Sequence, residues 1–226
     1  MNTRLFLAAL AFVITGCATA PQVPVALTPK ALATPGTRVA IAMTELPKIN
    51  TFFPGASCLL CMAAAELNHT AMTAHVQKLT YEELPKLNAQ LAAVMTKKGH
   101  QPRLVNINLE ALPDFKTDAP NFARKDFRGL KQSMGVEKIV VIQVTMVGIE
   151  RMYSTYIPVA EPKAVVKGQS FMVNLTDNSL EWYTPIDIQK ASDGNWDEAP
   201  AFPGLTNAYF QTLEMTKDQV LVPFSN

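Results

Sequence analysis

Two cysteines three residues apart form the motif in this sequence that is best suited to chemistry, Cys58-Leu59-Leu60-Cys61. Apolar residues recur at intervals of three and four after Ser57 and predict a helix that starts at this motif. Residues three apart at the start of a helix have Cα atoms about 5 Å apart, a separation that a disulfide can bridge. We therefore predict a disulfide between Cys58 and Cys61, whose effect on stability is local because the closed loop is short.

Two other roles for this pair remain open. The N-terminus of a helix lowers the pKa of a first cysteine, as thiol–disulfide exchange requires, although an apolar inner pair is unlike that of thioredoxin-like motifs. The pair could also bind a metal, with His69, Met72 and His75 as further candidate ligands. On a straight helix, however, Cys61 and His69 lie about 12 Å apart along the axis, too far to share one ion. We predict no metal site and no bound cofactor.

The third cysteine, Cys17, follows a segment typical of secretory signals. A short apolar run over residues 5–14 comes after a single cation and is too short to span a bilayer. The residues Ile14, Thr15, Gly16 and Cys17 that end this segment resemble the lipobox of bacterial lipoproteins. The resemblance implies cleavage after residue 16 and diacylation of Cys17, including a palmitate-type chain. An ordinary signal cleaved after Ala18 or Ala20 is the alternative.

The residue after Cys17 bears on localisation. In lipoproteins an aspartate at this position usually retains the protein in the inner membrane, whereas here the residue is Ala18. The resemblance therefore implies an anchor in the inner leaflet of the outer membrane, with the rest of the chain in the periplasm. An oxidising compartment of this kind also favours the disulfide.

Composition limits the function classes. The chain has 20 Lys and Arg against 19 Asp and Glu, for a formal net charge of +1, so it lacks the basic surface that nucleic-acid binding needs. Prolines among Ala, Thr and Val over residues 17–37 predict an extended tether after the signal of residues 1–16. We expect residues 38–226 to form a single periplasmic domain. Common catalytic motifs are absent from the sequence, so we predict a protein that is not an enzyme.

The order of the predicted elements indicates the fold class. A short apolar run at residues 39–43 predicts a first strand, two helical stretches follow over residues 57–98, and a second strand covers residues 102–107. A further helix over residues 123–134 leads into the strongly apolar strand 139–142. Later segments alternate with period two around the turn residues Asp177 and Asn178, and a last helix precedes Pro223. We predict an α/β domain with a mixed sheet: a β-α-β start, an antiparallel meander and a C-terminal helix.

This layout resembles that of outer-membrane lipoproteins such as the activators of penicillin-binding proteins and the curli secretion lipoprotein. The resemblance is one of architecture over residues 38–222, and it brings no catalytic motif. Three pieces match. A helix that ends in glycine, residues 91–99, precedes a strand at 103–105, and a second helix, residues 127–135, precedes the apolar strand 139–142. The third piece is a hairpin turn followed by an aromatic residue, residues 177–182.

One stretch of the sequence is suited to contact with another protein. Met152, Tyr153, Tyr156 and Ile157 follow the long strand, and the prolines beside them limit further pairing in a sheet. These residues either form a binding surface or cover the sheet. We predict an envelope lipoprotein that binds an unidentified envelope protein without catalysis. The alternative is a periplasmic thiol-redox or metal-handling protein that uses Cys58 and Cys61.

Overall fold

A computed structural model describes residues 21–225 of the protein, so the predicted signal segment and Cys17 lie outside the described residues. The described part contains eight strands. They are β1 (Arg38–Met43), β2 (Asn50–Phe52), β3 (Gln101–Val105), β4 (Lys138–Glu150), β5 (Tyr153–Ser154), β6 (Ile157–Pro158), β7 (Lys163–Asn174) and β8 (Leu180–Ala191).

Six of these strands form one mixed sheet, in the order β3-β1-β4-β7-β8 with β2 also beside β4. β1 is parallel to both β3 and β4, and β2 continues along the same edge of β4. β4, β7 and β8 are antiparallel neighbours; residues 151–162, which contain β5 and β6, connect β4 to β7, and a short turn connects β7 to β8. The predicted mixed sheet with a β-α-β start and an antiparallel meander is confirmed.

In the same part of the chain, five α-helices accompany the sheet: α1 (Leu59–Asn68), α2 (Thr70–Val76), α3 (Leu87–Lys97), α4 (Gly129–Met134) and α5 (Pro203–Ser225). The first of the two predicted helical stretches, which starts at Ser57, is in fact two helices, α1 and α2, which meet at a break at His69. The break is not visible in the apolar spacing, which continues across it. The C-terminal helix is confirmed, and it extends past Pro223 to Ser225.

The two faces of the sheet are covered differently. One face, with Val140 and Ile142 of β4, packs against residues of α1, α2, α3 and α5 in the larger core. The other face, with Ile139 and Val141, is covered by α4 and by the long loop that precedes it. Val141 is fully buried, as expected for a strand covered on both sides.

The helix predicted over residues 123–134 is wrong in its first half, because only Gly129–Met134 is helical. Ala123 and Phe127 are buried, but in a loop whose backbone is bonded to the side chain of Asn178. Asn178 in the β7–β8 turn accepts a hydrogen bond from the N–H of Phe127 and donates to the carbonyl oxygens of Ala123 and Lys125, at 2.9 to 3.0 Å. A contact 51 residues away in sequence thus replaces the local hydrogen bonds of a helix.

The proline-containing segment before β1 differs from the predicted tether, which extends to residue 37. The backbone of Val25 pairs with Tyr183 of β8 through two hydrogen bonds of 2.9 Å, and Ala31 is buried in the larger core. Gln22 donates to Asn121 Oδ1 at 3.0 Å. The described part of the segment pairs with the outer edge of β8 at Val25 and then forms a short 3₁₀ helix, Pro29–Leu32, so it does not stand away from the domain.

Candidate functional site: the disulfide and the exposed apolar patch

Cys58 and Cys61 form a disulfide at the start of α1, as predicted, with their Cα atoms 4.9 Å apart. Cys58 is the N-cap of the helix, and its sulfur lies 2.9 Å from the backbone N–H of Cys61. The disulfide therefore fixes the first turn of the helix, where backbone N–H groups otherwise lack a partner.

The two cysteines differ in accessibility. Cys61 is fully buried in the larger core, whereas Cys58 is exposed. The hydroxyl of Tyr156 lies 3.5 Å from Cys58 Sγ. Leu59 and Leu60 between the cysteines are 92% and 73% exposed, so they point away from the core that α1 packs against.

Tyr156 belongs to the small hairpin of β5 and β6, which contains three of the four residues predicted to make contacts; the fourth, Met152, directly precedes β5. Met152, Tyr156 and Ile157 are exposed, together with the neighbouring Val159. Tyr153 differs from the prediction, because it is buried and faces inward. The alternation of sides along β5 explains this, since neighbouring residues in a strand point in opposite directions.

The hairpin rests on the loop before α1 through close backbone contacts. The N–H of Tyr153 donates to the carbonyl of Pro54 at 2.8 Å, and that of Thr155 donates to Gly55 at 3.2 Å. Gly55 has a φ of +88°, and a Cβ at this position would lie 1.9 Å from the carbonyl oxygen of Tyr153. Glycine is thus required here both for its backbone conformation and for the close approach of the hairpin.

A partly buried aromatic and polar cluster lies beneath the hairpin. Nε2 of His69 lies 2.8 Å from the Tyr153 hydroxyl and 3.1 Å from Nη1 of Arg151. The His69 ring stacks on Phe53 with centroids 5.3 Å apart, and the Arg151 guanidinium lies 4.6 Å from the centre of the Trp196 ring. The cluster links the hairpin to the break between α1 and α2.

The electrostatics of this cluster favour a neutral imidazole. Burial lowers the pKa of His69, and the positive charge of Arg151 lowers it further, against a smaller opposing effect of Asp197. A guanidinium can only donate hydrogen bonds, so Nε2 of His69 must accept, and the ring proton then sits on Nδ1. His69 therefore acts as a structural acceptor within the fold.

Six exposed apolar side chains on the two adjoining segments form what we call the apolar patch: Leu59, Leu60, Met152, Tyr156, Ile157 and Val159. The backbone hydrogen bonds to Pro54 and Gly55 hold the two segments together, and the disulfide fixes the first of them at the start of α1. Single exposed apolar residues are common on protein surfaces, but a cluster on a well-fixed support is typical of an interaction site.

Leu59, Leu60 and Val159 were not predicted to belong to this surface. The sequence did contain a signal for the two leucines. Two large apolar residues directly after the N-cap of a helix have few core residues nearby against which they can be buried. The spacing of the apolar residues along α1 did not place them on its buried side, which carries Cys61 and Ala65.

The remaining candidate ligands of the sequence are dispersed. His75 Nε2 lies 2.7 Å from the Thr206 hydroxyl, and Met72 is buried in the larger core. Within residues 21–225 no three His, Cys, Asp or Glu side chains are grouped so that they could hold a metal ion. Over the same described range, no helix has both the length and the apolar character needed to cross a bilayer.

No protein-family model and no curated protein sequence matches the chain. Among solved structures it is similar to protein XCC0632 from Xanthomonas campestris, with a TM-score of 0.37 and 12% identity over 90% of this chain and 92% of the other. Lipoprotein GNA1162 from Neisseria meningitidis has a TM-score of 0.34 and 10% identity over 79% and 99%. A PelC dodecamer from Paraburkholderia phytofirmans has a TM-score of 0.33 and 10% identity over 91% and 94%. At TM-scores this low, the likenesses do not establish a function.

Proposed function

We propose that this protein is a lipoprotein of the outer membrane, anchored through Cys17, whose periplasmic domain binds another envelope protein through the apolar patch. The proposal includes no catalytic step. The observation that carries it is the apolar patch itself, in which large apolar side chains are exposed on a support fixed by a disulfide. Burial of such side chains contributes about 25 cal/mol for each Å² removed from water, so a partner that covers them gains affinity.

The position of the patch supports this role. The chain reaches the domain at Val25, which pairs with Tyr183 near the start of β8. The patch lies beyond Glu150, which is in register across β7 with Ala191 at the other end of β8. About eight residues of strand separate Tyr183 from Ala191, or about 26 Å. A domain anchored at its first end would present the patch on the side away from the anchor.

Site-specific photo-crosslinking in cells tests the proposal. A photoreactive amino acid at Ile157 should give one recurrent protein adduct, and Leu60→Glu in the same chain should remove it because a charge enters the apolar contact. A photoreactive residue at Leu104, which is half exposed on β3, is the matched control and should not give that adduct. Identical adducts at Ile157 and Leu104, or adducts that survive Leu60→Glu, would exclude the patch as the binding surface.

A second candidate function, thiol–disulfide exchange, is favoured by one observation. Cys58 is exposed at the N-cap of α1, and two donors near its sulfur, the Cys61 N–H and the Tyr156 hydroxyl, would stabilise a thiolate. In such an exchange a substrate thiolate attacks Cys58 Sγ and releases the Cys61 thiolate. A second substrate thiolate then attacks the mixed disulfide, so that the substrate is oxidised and the cysteine pair is reduced.

The single variant Cys61→Ala distinguishes the binding role from thiol–disulfide exchange. Without its resolving cysteine, a redox-active Cys58 should accumulate mixed disulfides with particular periplasmic proteins, detectable on non-reducing gels. A structural pair should leave Cys58 free or bound to small thiols. Specific protein adducts in this variant, absent from Cys58→Ala, would favour thiol–disulfide exchange over the binding role.

A further inference from the structure

A pocket of about 250 Å³ opens on the second face of the sheet, at the end where the chain enters the domain. Its floor and walls are mainly apolar, and they come from the sheet and from the loop before α4. The larger apolar lining residues are Leu109, Phe122, Phe127, Phe171, Leu180 and Tyr183. Phe127 and Phe171 meet edge to face with centroids 5.9 Å apart and form the base.

The loop side of the pocket is rigidly held. The Asn178 side chain fixes the stretch from Ala123 to Phe127. Just before this stretch, the backbone of Phe122 forms an isolated antiparallel β-bridge with Ser179, and the N–H of Leu180 donates to the Asn121 carbonyl at 2.8 Å. The pocket is therefore formed before any ligand binds, which reduces the entropic cost of binding.

The rim of the pocket is polar. The amide of Gln169 donates to that of Gln143 at 2.8 Å along one side. Glu110, Arg124 and Lys125 also belong to the rim, and Lys125 pairs with Asp114 at 2.8 Å. An apolar interior with a polar, charged rim matches a ligand that has an apolar chain and a polar head.

The distance to Cys17 indicates what lies outside the pocket. Gln22 lines the pocket and is bonded to Asn121, and it follows Cys17 by five positions in sequence. Five residues span at most about 18 Å, whatever conformation they adopt. If Cys17 is lipidated, as the proposed function holds, the pocket must stay within that distance of the membrane surface, where the abundant apolar chains are those of lipids.

We infer that this pocket takes up part of an acyl chain of a phospholipid from the leaflet that holds the anchor. This inference rests on the proposed lipidation of Cys17 and adds a second lipid contact to it. The pocket is smaller than the roughly 300–1,000 Å³ of drug-sized ligand sites, so it accommodates a segment of one chain while the headgroup meets the rim. The apolar patch is at the opposite end of the strands and is not involved.

The test uses the full chain in bacterial cells, with a photoreactive amino acid at Leu109, which lines the pocket and is partly exposed. After irradiation, mass spectrometry should find adducts with the mass of phospholipids, at least several-fold more abundant than from the same group at Leu104. Leu104 is half exposed on β3 and does not line the pocket. Unchanged thermal melting of both variants establishes that they are folded.

Four results would overturn the inference: no phospholipid adduct at position 109, an adduct between position 109 and the acylated N-terminal peptide, an adduct to another protein, or phospholipid adducts equal at both positions. The mass of the N-terminal peptide from the same sample tests lipidation of Cys17 separately. A phospholipid adduct on a chain with unmodified Cys17 would contradict the proposed lipid anchor but support the acyl-chain pocket. A lipidated Cys17 without the adduct would contradict the acyl-chain pocket but support the lipid anchor.

Discussion

The hydroxyl of Tyr153 lies 2.8 Å from Nε2 of His69, inside the protein and directly beneath the apolar patch. Tyr153 belongs to the hairpin, and His69 lies at the break between α1 and α2. One buried contact therefore joins the two segments on which the patch is built. Its strength depends on the charge of the imidazole.

The stability of the domain should depend on pH through this histidine. The pKa of His69 is lowered in the folded protein, mainly by burial, as are those of His75 and His100. Near and below pH 6.5 the unfolded chain therefore binds more protons than the folded one. As the pH is lowered, the free energy of unfolding decreases, until the pH is below the pKa values of the histidines in the folded protein. Urea midpoints should be lower at about pH 5.5 than at about pH 7.5.

His69→Gln isolates the contribution of this residue. The glutamine can still accept from Arg151 or Tyr153 but does not titrate. The decrease in the urea midpoint between about pH 7.5 and about pH 5.5 should be smaller in the variant than in the wild type. The decrease that remains in the variant is due to His75 and His100. An equal fall in both proteins would show that His69 does not contribute.

Gly55→Ala should be far more damaging than Gly99→Ala. Both glycines have a positive φ, +88° and +83°, so each alanine costs about 1 to 2 kcal/mol for its backbone conformation. At Gly55 a Cβ also clashes with the Tyr153 carbonyl, whereas at Gly99 it meets nothing within 4 Å. We expect the Gly55 variant to lose at least about 2 kcal/mol more in urea unfolding. Equal losses would contradict the close approach of the hairpin.

These elements show what the sequence could and could not predict. The apolar run and the period-two alternation identified β4, β7 and β8, because the residues of a strand report directly which face is buried. The break at His69 was missed because its partners, Tyr153 and Arg151, are more than 80 residues away in sequence. The disulfide depends on a local spacing and was predicted, whereas the apolar patch depends on how two distant segments meet.

Val141→Asp should destabilise the domain by several kcal/mol. Val141 is fully buried in the centre of β4, so the variant must bury a carboxylate without a partner or protonate it. Thr145→Asp on the same strand is the matched control, because Thr145 is exposed, and it should change stability by less than about 1 kcal/mol. Thermal melting of the two variants measures the difference, and similar melting temperatures would contradict the assignment of the core.

Replacement of both Cys58 and Cys61 by alanine should cost about 2 kcal/mol. Chain-entropy arguments give this value for a closed loop of about four residues, well below the value for long loops. The variant should remain folded, with the largest increase in hydrogen exchange in the first turn of α1. The control is the wild-type protein with its disulfide reduced, which should lose the same amount of stability. Global unfolding of the variant would contradict a merely local role of the disulfide.

Cys17→Ser should leave an unprocessed precursor without lipid, because it lacks the sulfur to which the proposed diacylglycerol would be attached. Ala18→Ser keeps a small residue at the next position and should be processed like the wild type. Gel mobility and membrane fractionation compare the two variants. Maturation of Cys17→Ser to the wild-type size in the outer-membrane fraction would exclude the lipobox.

The antiparallel strands β4, β7 and β8 are 13, 12 and 12 residues long, and they extend between the two ends of the domain. A partner that pulled on the apolar patch would apply its force along these strands, toward the end where the chain enters. Because ladder hydrogen bonds run perpendicular to the strands, such a pull shears many of them at once instead of opening them one by one. On the proposed arrangement, the domain would serve as a stiff mechanical link that carries tension from its partner to the membrane.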